Sequence, residues 1–503
     1  MRTSITIAYF ILLLAGCSTP PIIGPLAHNG DPLAGELKLE NNLTYRIRPD
    51  ALTYTGMADY LLPDGTKYRG EFLNGKRQGA GRESLPSGET YEGNWINDQR
   101  EGQGVLIKSD DSVYTGAFQN NLRAGYGIQT SPAGRYEGDW YADSPHGFGY
   151  FTGGQGIEYL GAWEEGKRSG YGVAVMRSQN RYEGMWIDNK RNGYGEEVRL
   201  DGRRYTGDWV ENKRDGQGTE ILPDDSSHAG EWKFNAPLGA GTSIDESGIK
   251  LSGMWSGKTI RAGLVILPSQ ASYAGLLYNP RKRSLNPRFL NWISSQAQRG
   301  DAHAALMLAK AYSDYSMPKQ SPDKAWFWFV KAANQALVEG QYRLALIYLE
   351  NSEDKHLAVL LLTEAVKHKH ASSALKLAEL YERGEGVVQN TATALNLYEQ
   401  ASDGGNMQAR NKLAWLLATS SNEQLRDGSK AVALARPMVY LFDTWPYLET
   451  LAAALAETQN YSNAVLVQQK ALTRAESVTD SGIQEQLTHR LELYQAQKPF
   501  RSD

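Results

Sequence analysis

Apolar and polar positions follow two different periods along this chain, and the switch between them divides it. Tyr-x-Gly recurs at Tyr68, Tyr91, Tyr114, Tyr136, Tyr159, Tyr182 and Tyr205, every 22 or 23 residues. Weaker copies continue at His228, Leu251 and Tyr273, each with its glycine (Gly230, Gly253, Gly275). A fixed period of this length marks a repeat architecture. Within one period, Tyr182, Gly184 and Trp186 alternate with polar residues and so share one face of a strand. Asp188 to Asn192 is turn chemistry, Gly193-Tyr194-Gly195 opens a returning strand, and Leu200 to Arg203 turns again. Each period therefore predicts one β-hairpin. No hairpin buries an aromatic face alone, so neighbours must pair into one long, twisted antiparallel sheet.

From Phe289 the spacing becomes helical. Ala304, Leu308 and Ala311 lie three or four residues apart, as do Leu344, Ile347 and Tyr348. The block Ala325, Trp328, Ala332 aligns with Ala358, Leu361, Ala365 and with Ala394, Leu397, Ala401. Tyr312, Tyr348 and Tyr381 close the helices that precede these blocks. The predicted fold is a two-domain repeat protein: an elongated antiparallel sheet of β-hairpins over 45–278, a linker over 279–288, and an α-solenoid of helix pairs over 289–497 with a concave face. Small alanines at the crossings let paired helices approach closely.

The first array resembles the MORN repeat family, in which Tyr-x-Gly-x-Trp is followed by Gly-x-Gly, over residues 45–278. Its last copies depart from the pattern, with His228 and Leu251 in place of Tyr and Leu277 in place of Trp, and read as a degenerate cap. Tyr45 and Gly56 fit the register one period before Tyr68. The second array resembles Sel1-like repeats, relatives of the tetratricopeptide repeat, over residues 289–475. Its clearest copy is Leu380-Tyr381-x-x-Gly384-x-Gly386-Val387 followed by Asn390 and Ala394, with the glycines turning between antiparallel helices. The preceding copy carries Asn351-Ser352-Glu353-Asp354 instead of that turn. Leu451 to Glu457 with Tyr461, Ala464 and Ala471 is similar to a tetratricopeptide repeat.

The chain opens with Arg2 and an apolar run from Ile5 to Leu14, too short to span a bilayer, which reads as a secretion signal over 1–16. Leu14-Ala15-Gly16-Cys17 resembles the bacterial lipobox, which implies cleavage before Cys17 and acylation of its thiol. Several acyl chains anchor durably where one does not. Ser18 follows, where Asp would resemble an inner-membrane retention signal. The resemblance thus implies an outer-membrane lipid anchor in a Gram-negative bacterium, with the body facing the periplasm. Cys17 is the only cysteine, so no internal disulfide is expected. Residues 17–44, rich in Pro and Gly, read as an acylated, flexible tether.

A net charge of −4 gives no reason to expect a nucleic-acid partner. The chain carries no phosphate-binding Gly-Lys-Ser/Thr loop, no His-Glu-x-x-His and no nucleophile elbow, so neither catalysis nor a cofactor is expected. Gly153-Gly154-Gln155-Gly156 sits at a hairpin turn with no helix after it. His356, His368 and His370 form the densest histidine cluster, but no thiol or carboxylate set completes a metal site there, and they read as solvated helix ends.

Trp95, Trp140, Trp163, Trp186, Trp209, Trp232 and Trp255 form a column on one sheet face. Such rings either stack on a glycan or form the sheet's own core; the core reading is favoured because the register itself requires a ring. Lys76, Arg77, Arg100, Arg123, Lys167, Arg168, Lys190, Arg191, Lys213 and Arg214 precede the Gly-x-Gly motifs at the turns of one edge. Successive turns should lie about 9–10 Å apart, two strand spacings. The opposite turns are acidic at Asp64, Asp110, Asp111, Asp201, Asp224 and Asp225. The cations form either a ladder for polysaccharide, anionic lipid or an acidic partner, or a solvated edge that discourages pairing.

In the solenoid, Trp326, Trp328, Tyr348 and Tyr381 are candidate partner contacts. The resulting expectation is a non-catalytic, lipid-anchored scaffold or assembly factor that binds envelope proteins through the solenoid. Direct binding of glycan or anionic lipid by the sheet, and an enzyme of unspecified type, are the competing classes.

Overall fold

In a computed structural model, residues 23–27, 31–279, 284–313, 321–350, 355–476 and 481–502 are described. Cys17, the 1–16 leader, residues 280–283 of the expected linker and the 351–354 loop lie outside them. A 22-stranded antiparallel sheet runs from Gly35 to Leu276, and 12 helices follow among the described residues. The chain falls into two compact units, Met1–Gly153 with Trp163–Gly166 and Gly154–Ala162 with Lys167–Asp503. This division lies inside the sheet, whereas the change from strand to helix lies between Leu285 and Pro287.

In the first unit the sheet starts earlier than its sequence period. Gly35–Leu39 pairs with Thr44–Ile47 on one side and Gly56–Leu61 on the other. Leu37, Leu39 and Ile47 are buried, so the later part of the expected tether is sheet. Three aliphatic residues carry no period that a repeat search would register. From Gly56 onward the strands pair with their neighbours through hairpins.

At Asn97-Asp98 and Glu211-Asn212 both residues of the tight turn have positive φ, 50° and 67° at the first and 47° and 70° at the second. That is the geometry whose twist matches the flanking strands. The turns therefore end sooner than the sequence suggests. Lys76 and Lys190, with the arginines after them, are the first residues of the returning strands Lys76–Ser84 and Lys190–Val198. A bulge follows, in which Gly184 pairs with Gly195 while Trp186 pairs with Arg191. Three residues, Asn192, Gly193 and Tyr194, thus stand opposite Met185, and Gly193 takes φ 81° to allow it.

The second unit continues the hairpins from Lys167–Val175 to Ser272–Leu276. Its final periods are a seam to the helices and not a cap. Ile249, Val265, Leu267 and Leu277 share one core with Phe289, Ile293 and Leu306. The Tyr273 ring lies 5.1 Å from Phe289. The departures at Leu251 and Leu277 mark strands that pack on helices instead of on the next hairpin, whereas His228 stays in the column between Trp232 and Trp255.

The helices are Pro287–Gln298 (α1), Ala302–Ser313 (α2), Pro322–Ala333 (α3), Val338–Glu350 (α4), Lys355–Lys367 (α5), Ala371–Arg383 (α6), Thr391–Asp403 (α7), Met407–Thr419 (α8), Gly428–Leu441 (α9), Trp445–Glu457 (α10), Tyr461–Ala475 (α11) and Ser481–Gln495 (α12). Side chains of Asn390, Asn406 and Asp427 cap α7, α8 and α9 by accepting from backbone amides at 2.9–3.0 Å. Gly384 ends α6 in the left-handed region at φ 71°. Ala325, Ala358 and Ala394, aligned in the sequence, are all buried where helices cross. No helix among the described residues is long and apolar enough to cross a membrane.

Candidate functional site

The tryptophan column is the core of the sheet. Trp95 and Trp140 in the first unit, and Trp186, Trp209 and Trp232 in the second, are buried. Trp95, Trp140, Trp186 and Trp209 each meet two tyrosines edge-on, with Trp209 5.5 Å from Tyr182 and 5.2 Å from Tyr205, and Trp232 meets Tyr205 and His228. The indole N–H of Trp186 donates to the Gly172 carbonyl and that of Trp209 to the Gly195 carbonyl, both at 3.2 Å. The Tyr182 hydroxyl donates to the Met185 carbonyl at 3.1 Å, and burial pushes its pKa up to about 12. Faces and polar ends alike are taken, so these rings offer no platform for a sugar.

The arginines do not form an open cationic ladder either. The bulge turns Arg77, Arg123, Arg168, Arg191 and Arg214 inward over the next period's indole, and Arg100, whose next period carries Phe118, over Tyr91 at 4.9 Å. Arg77 lies 4.1 Å from the Trp95 ring and Arg123 4.3 Å from Trp140. In the second unit Arg168, Arg191 and Arg214 lie 4.3, 4.2 and 4.3 Å from Trp186, Trp209 and Trp232. Arg191 also pairs with buried Glu197 at 2.5 Å and Arg214 with Glu220 at 2.6 Å. Arg77 and Arg100 pair with Glu83, Arg100 at 2.8 Å. The Arg191 amide donates to Asn212 Oδ1 at 2.9 Å, so each turn is stitched to the next. Only the lysines point out. Lys76 and Lys213 are exposed, and Lys167 and Lys190 reach Asp188 and Glu211 at 2.8 and 3.0 Å.

Of the four solenoid candidates only Trp326 is exposed, at 43 %, beside Phe327 at 45 %. Trp328 and Tyr348 are half-buried against the core that joins the last strands to α1–α4, and Tyr381 against the core that runs from α4 to α12. Those three mainly hold helices together.

Two features escape the sequence pattern. The residue between the glycines of Gly-x-Gly faces away from the aromatic column, which leaves Tyr126 and Phe148 exposed in the first unit and Tyr171 and Tyr194 in the second. A period-2 reading of the returning strand contains that signal. The other is a cavity of about 1050 Å³ in the second unit, lined by Asp224, Asp225, Glu246, Glu339, His370 and Asp403 among others. It lies where sheet turns meet the loops that start α4, α6 and α8.

At its centre, ligand atoms of Glu246, Glu339 and His370 lie within 4.8 Å of one another. His370 is thus not a solvated helix end. Its Nδ1 accepts from the Ser373 amide at 3.2 Å and caps α6, so the neutral ring carries its proton on Nε2, 3.7 Å from Glu339. Lys310 stands 3.5 Å from Glu246 and 3.6 Å from Glu339, and Arg343 Nε 2.7 Å from Glu339. Burial, and then the neighbouring Glu339, raise the Glu246 pKa, while burial lowers that of His370. Two carboxylates already hold two cations, and the imidazole lone pair is in use. The arrangement is a self-compensated ion network that ties a sheet turn to three helices, and a metal would have to displace Lys310 from it.

No curated protein matches the chain. Among solved structures it is similar to the c5321 protective antigen of uropathogenic Escherichia coli, described as displaying an SLR fold. That likeness has 22 % identity over 42 % of this chain and 45 % of that one, with a TM-score of 0.34. The chain therefore spans under half the length of that relative. A Sel1 repeat protein from Oxalobacter formigenes is 20 % identical over 40 % of this chain and 86 % of its own, with a TM-score of 0.33. A TPR-domain protein from Parabacteroides distasonis is 12 % identical over 90 % and 88 %, with a TM-score of 0.22. Family models match in both arrays, the MORN repeat from residue 68 to 227 and the Sel1 repeat over 302–337, 338–370 and 371–406. The chain is a repeat protein with seven MORN repeats followed by three Sel1 repeats.

Proposed function

We propose that this chain is a non-catalytic, lipid-anchored scaffold that binds partner proteins of the bacterial cell envelope through its helical repeats. Sel1 repeats support protein–protein interaction at the family level, and both repeat families are typically non-catalytic. The observation that carries the reading is how side chains are used. The sheet spends the indoles and tyrosine hydroxyls of its aromatic column, and the arginines of its turns, on its own core, whereas α3 leaves Trp326 and Phe327 exposed. Lipidation at Cys17 and an outer-membrane location are part of the proposal and rest on the lipobox resemblance.

The test is in-cell cross-linking and affinity capture with the intact chain and with a Trp326→Ala, Phe327→Ala double variant. One discrete envelope protein that the intact chain captures and the double variant loses supports the scaffold. If neither captures any protein, the scaffold reading falls. For the anchor, Cys17→Ser should abolish incorporation of a labelled fatty acid and release the chain from the membrane fraction; unchanged fractionation would remove the lipid from the proposal. The outward tyrosines keep a second reading open, a carbohydrate surface at Tyr171 and Tyr194. Retention on peptidoglycan that Tyr171→Ala, Tyr194→Ala abolishes would favour it.

A further inference from the structure

After α12 the chain doubles back in extended form along the end of α8. The Ser502 amide donates to the Thr419 carbonyl at 2.9 Å, and Ser502 forms a parallel bridge with Ser420. Arg501 reaches Glu457 of α10 at 2.7 Å and donates to the Ala418 carbonyl at 3.3 Å. The Phe500 ring lies 5.7 Å from Trp415 of α8, with the Arg490 guanidinium of α12 4.5 Å from Phe500 and 5.0 Å from Trp415. One strand-like backbone bond, one aromatic slot and one carboxylate for a cation are the means by which a groove reads an extended peptide.

The charged residues of the groove have partners of their own besides the segment. Arg490 is held by Glu449, and Glu457 by Arg426 at 3.0 Å. The occupant fits imperfectly. Phe500, Arg501 and Ser502 stay only half-buried, while Arg490 Nε and the fully buried Tyr494 hydroxyl have no hydrogen-bond partner among the described residues. Buried donors without an acceptor are unfavourable, so a ligand that brings one to them would bind better than the segment now in place.

We propose that this face of α8, α10 and α12 is a groove for an extended segment of a partner protein in which an aromatic residue precedes an arginine, and that residues 498–502 fill it in cis. The inference deepens the scaffold reading and rests on it for the partner being a protein.

The test is fluorescence anisotropy with a labelled peptide of residues 497–503, Gln-Lys-Pro-Phe-Arg-Ser-Asp. It is titrated into the intact chain, into the chain lacking 499–503 and into Arg501→Glu, whose carboxylate repels Glu457. Both variants should bind at least tenfold tighter than the intact chain, and Phe500→Ala in the peptide or Trp415→Ala in the truncated chain should abolish binding. No gain in either variant while both keep the intact chain's melting temperature overturns the groove. So does collapse of the melting temperature in both, which would make the segment a structural brace. Dimers formed by exchange of 498–502 between copies would also overturn it, with a second copy as the occupant. Failure here with cellular capture intact leaves the scaffold standing on another face; failure of capture with tight peptide binding does the reverse.

Discussion

At Gly195 one hydrogen atom decides whether the hairpin closes. A Cβ there would stand 2.3 Å from the Tyr182 hydroxyl and 2.6 Å from its ring. Gly195→Ala should therefore destabilise the protein by about 2–3 kcal/mol in chemical unfolding, the scale of an overpacked core. Tyr182→Phe, which removes one hydrogen bond to Met185, should cost about 1 kcal/mol. If the ring is the obstacle, Tyr182→Leu should absorb part of the alanine's penalty, and strict additivity of the two would refute the clash. Glu197 tests the charges beneath the rings. Burial raises its pKa, but Arg199 and Arg191 outweigh burial and the net shift is downward. A depressed folded pKa gives stability that is fully present above the unfolded value and is lost as pH falls through the folded one. Glu197→Gln should thus lose about 2 kcal/mol at pH 7 and show a flatter decline between about pH 5 and pH 3 than the parent. Parallel declines would mean that the pair contributes no pH-dependent stability.

Among the elements, α6 carries a titratable cap. His370 accepts from the Ser373 amide only while Nδ1 is unprotonated. Burial lowers its pKa from 6.5; facing it, Glu339 and Asp224 work to raise the value, and Arg343 to lower it. The capping contribution is therefore complete above pH 6.5 and is lost as pH falls through the lower, folded value. Between pH 7 and pH 5 the protection factors of the first amides of α6, taken relative to the intrinsic exchange rate at each pH, should fall by about tenfold, which is about 1.4 kcal/mol of local opening. His370→Asn, which caps without titrating, should remove that dependence, and protection factors that stay pH-sensitive in the variant would assign it elsewhere. What sequence reading captures follows from the same contrast between local and distant causes. The hairpins, the helix pairs and the buried tryptophan column are legible because residue type and spacing repeat locally. The inward turn of Arg191 is not, because a bulge opposite Met185 sets it. Nor is the Glu246–Glu339–His370 network, whose members come from three elements far apart in sequence and whose histidine in isolation resembles any helix end.

For the whole molecule, sequence period and folding unit part company. The pattern changes at 279–288, yet Val265, Leu267 and Leu277 share a core with Phe289 and Ile293 across that stretch. Phe289 and Ile293 are fully buried, and separating them from the strands would expose surface worth about 1.5–3 kcal/mol per large side chain. A chain cut between 278 and 289 should therefore yield fragments that bind hydrophobic dyes and unfold without a sharp transition. Removing the single period 91–113 tests the opposite case. It joins Thr90 to Tyr114, places Phe118 where Arg77 now meets Trp95, and brings Asn121 to the position from which Asp98 accepts the Arg77 amide. Every seam is re-formed by an equivalent residue, so the shortened chain should fold and melt in a single transition within a few degrees of the parent, as expected where stability sums over neighbouring repeats. If the shortened chain collapses while the cut fragments stay folded, the shared core is not what joins sheet to helices, and the linker is the true boundary.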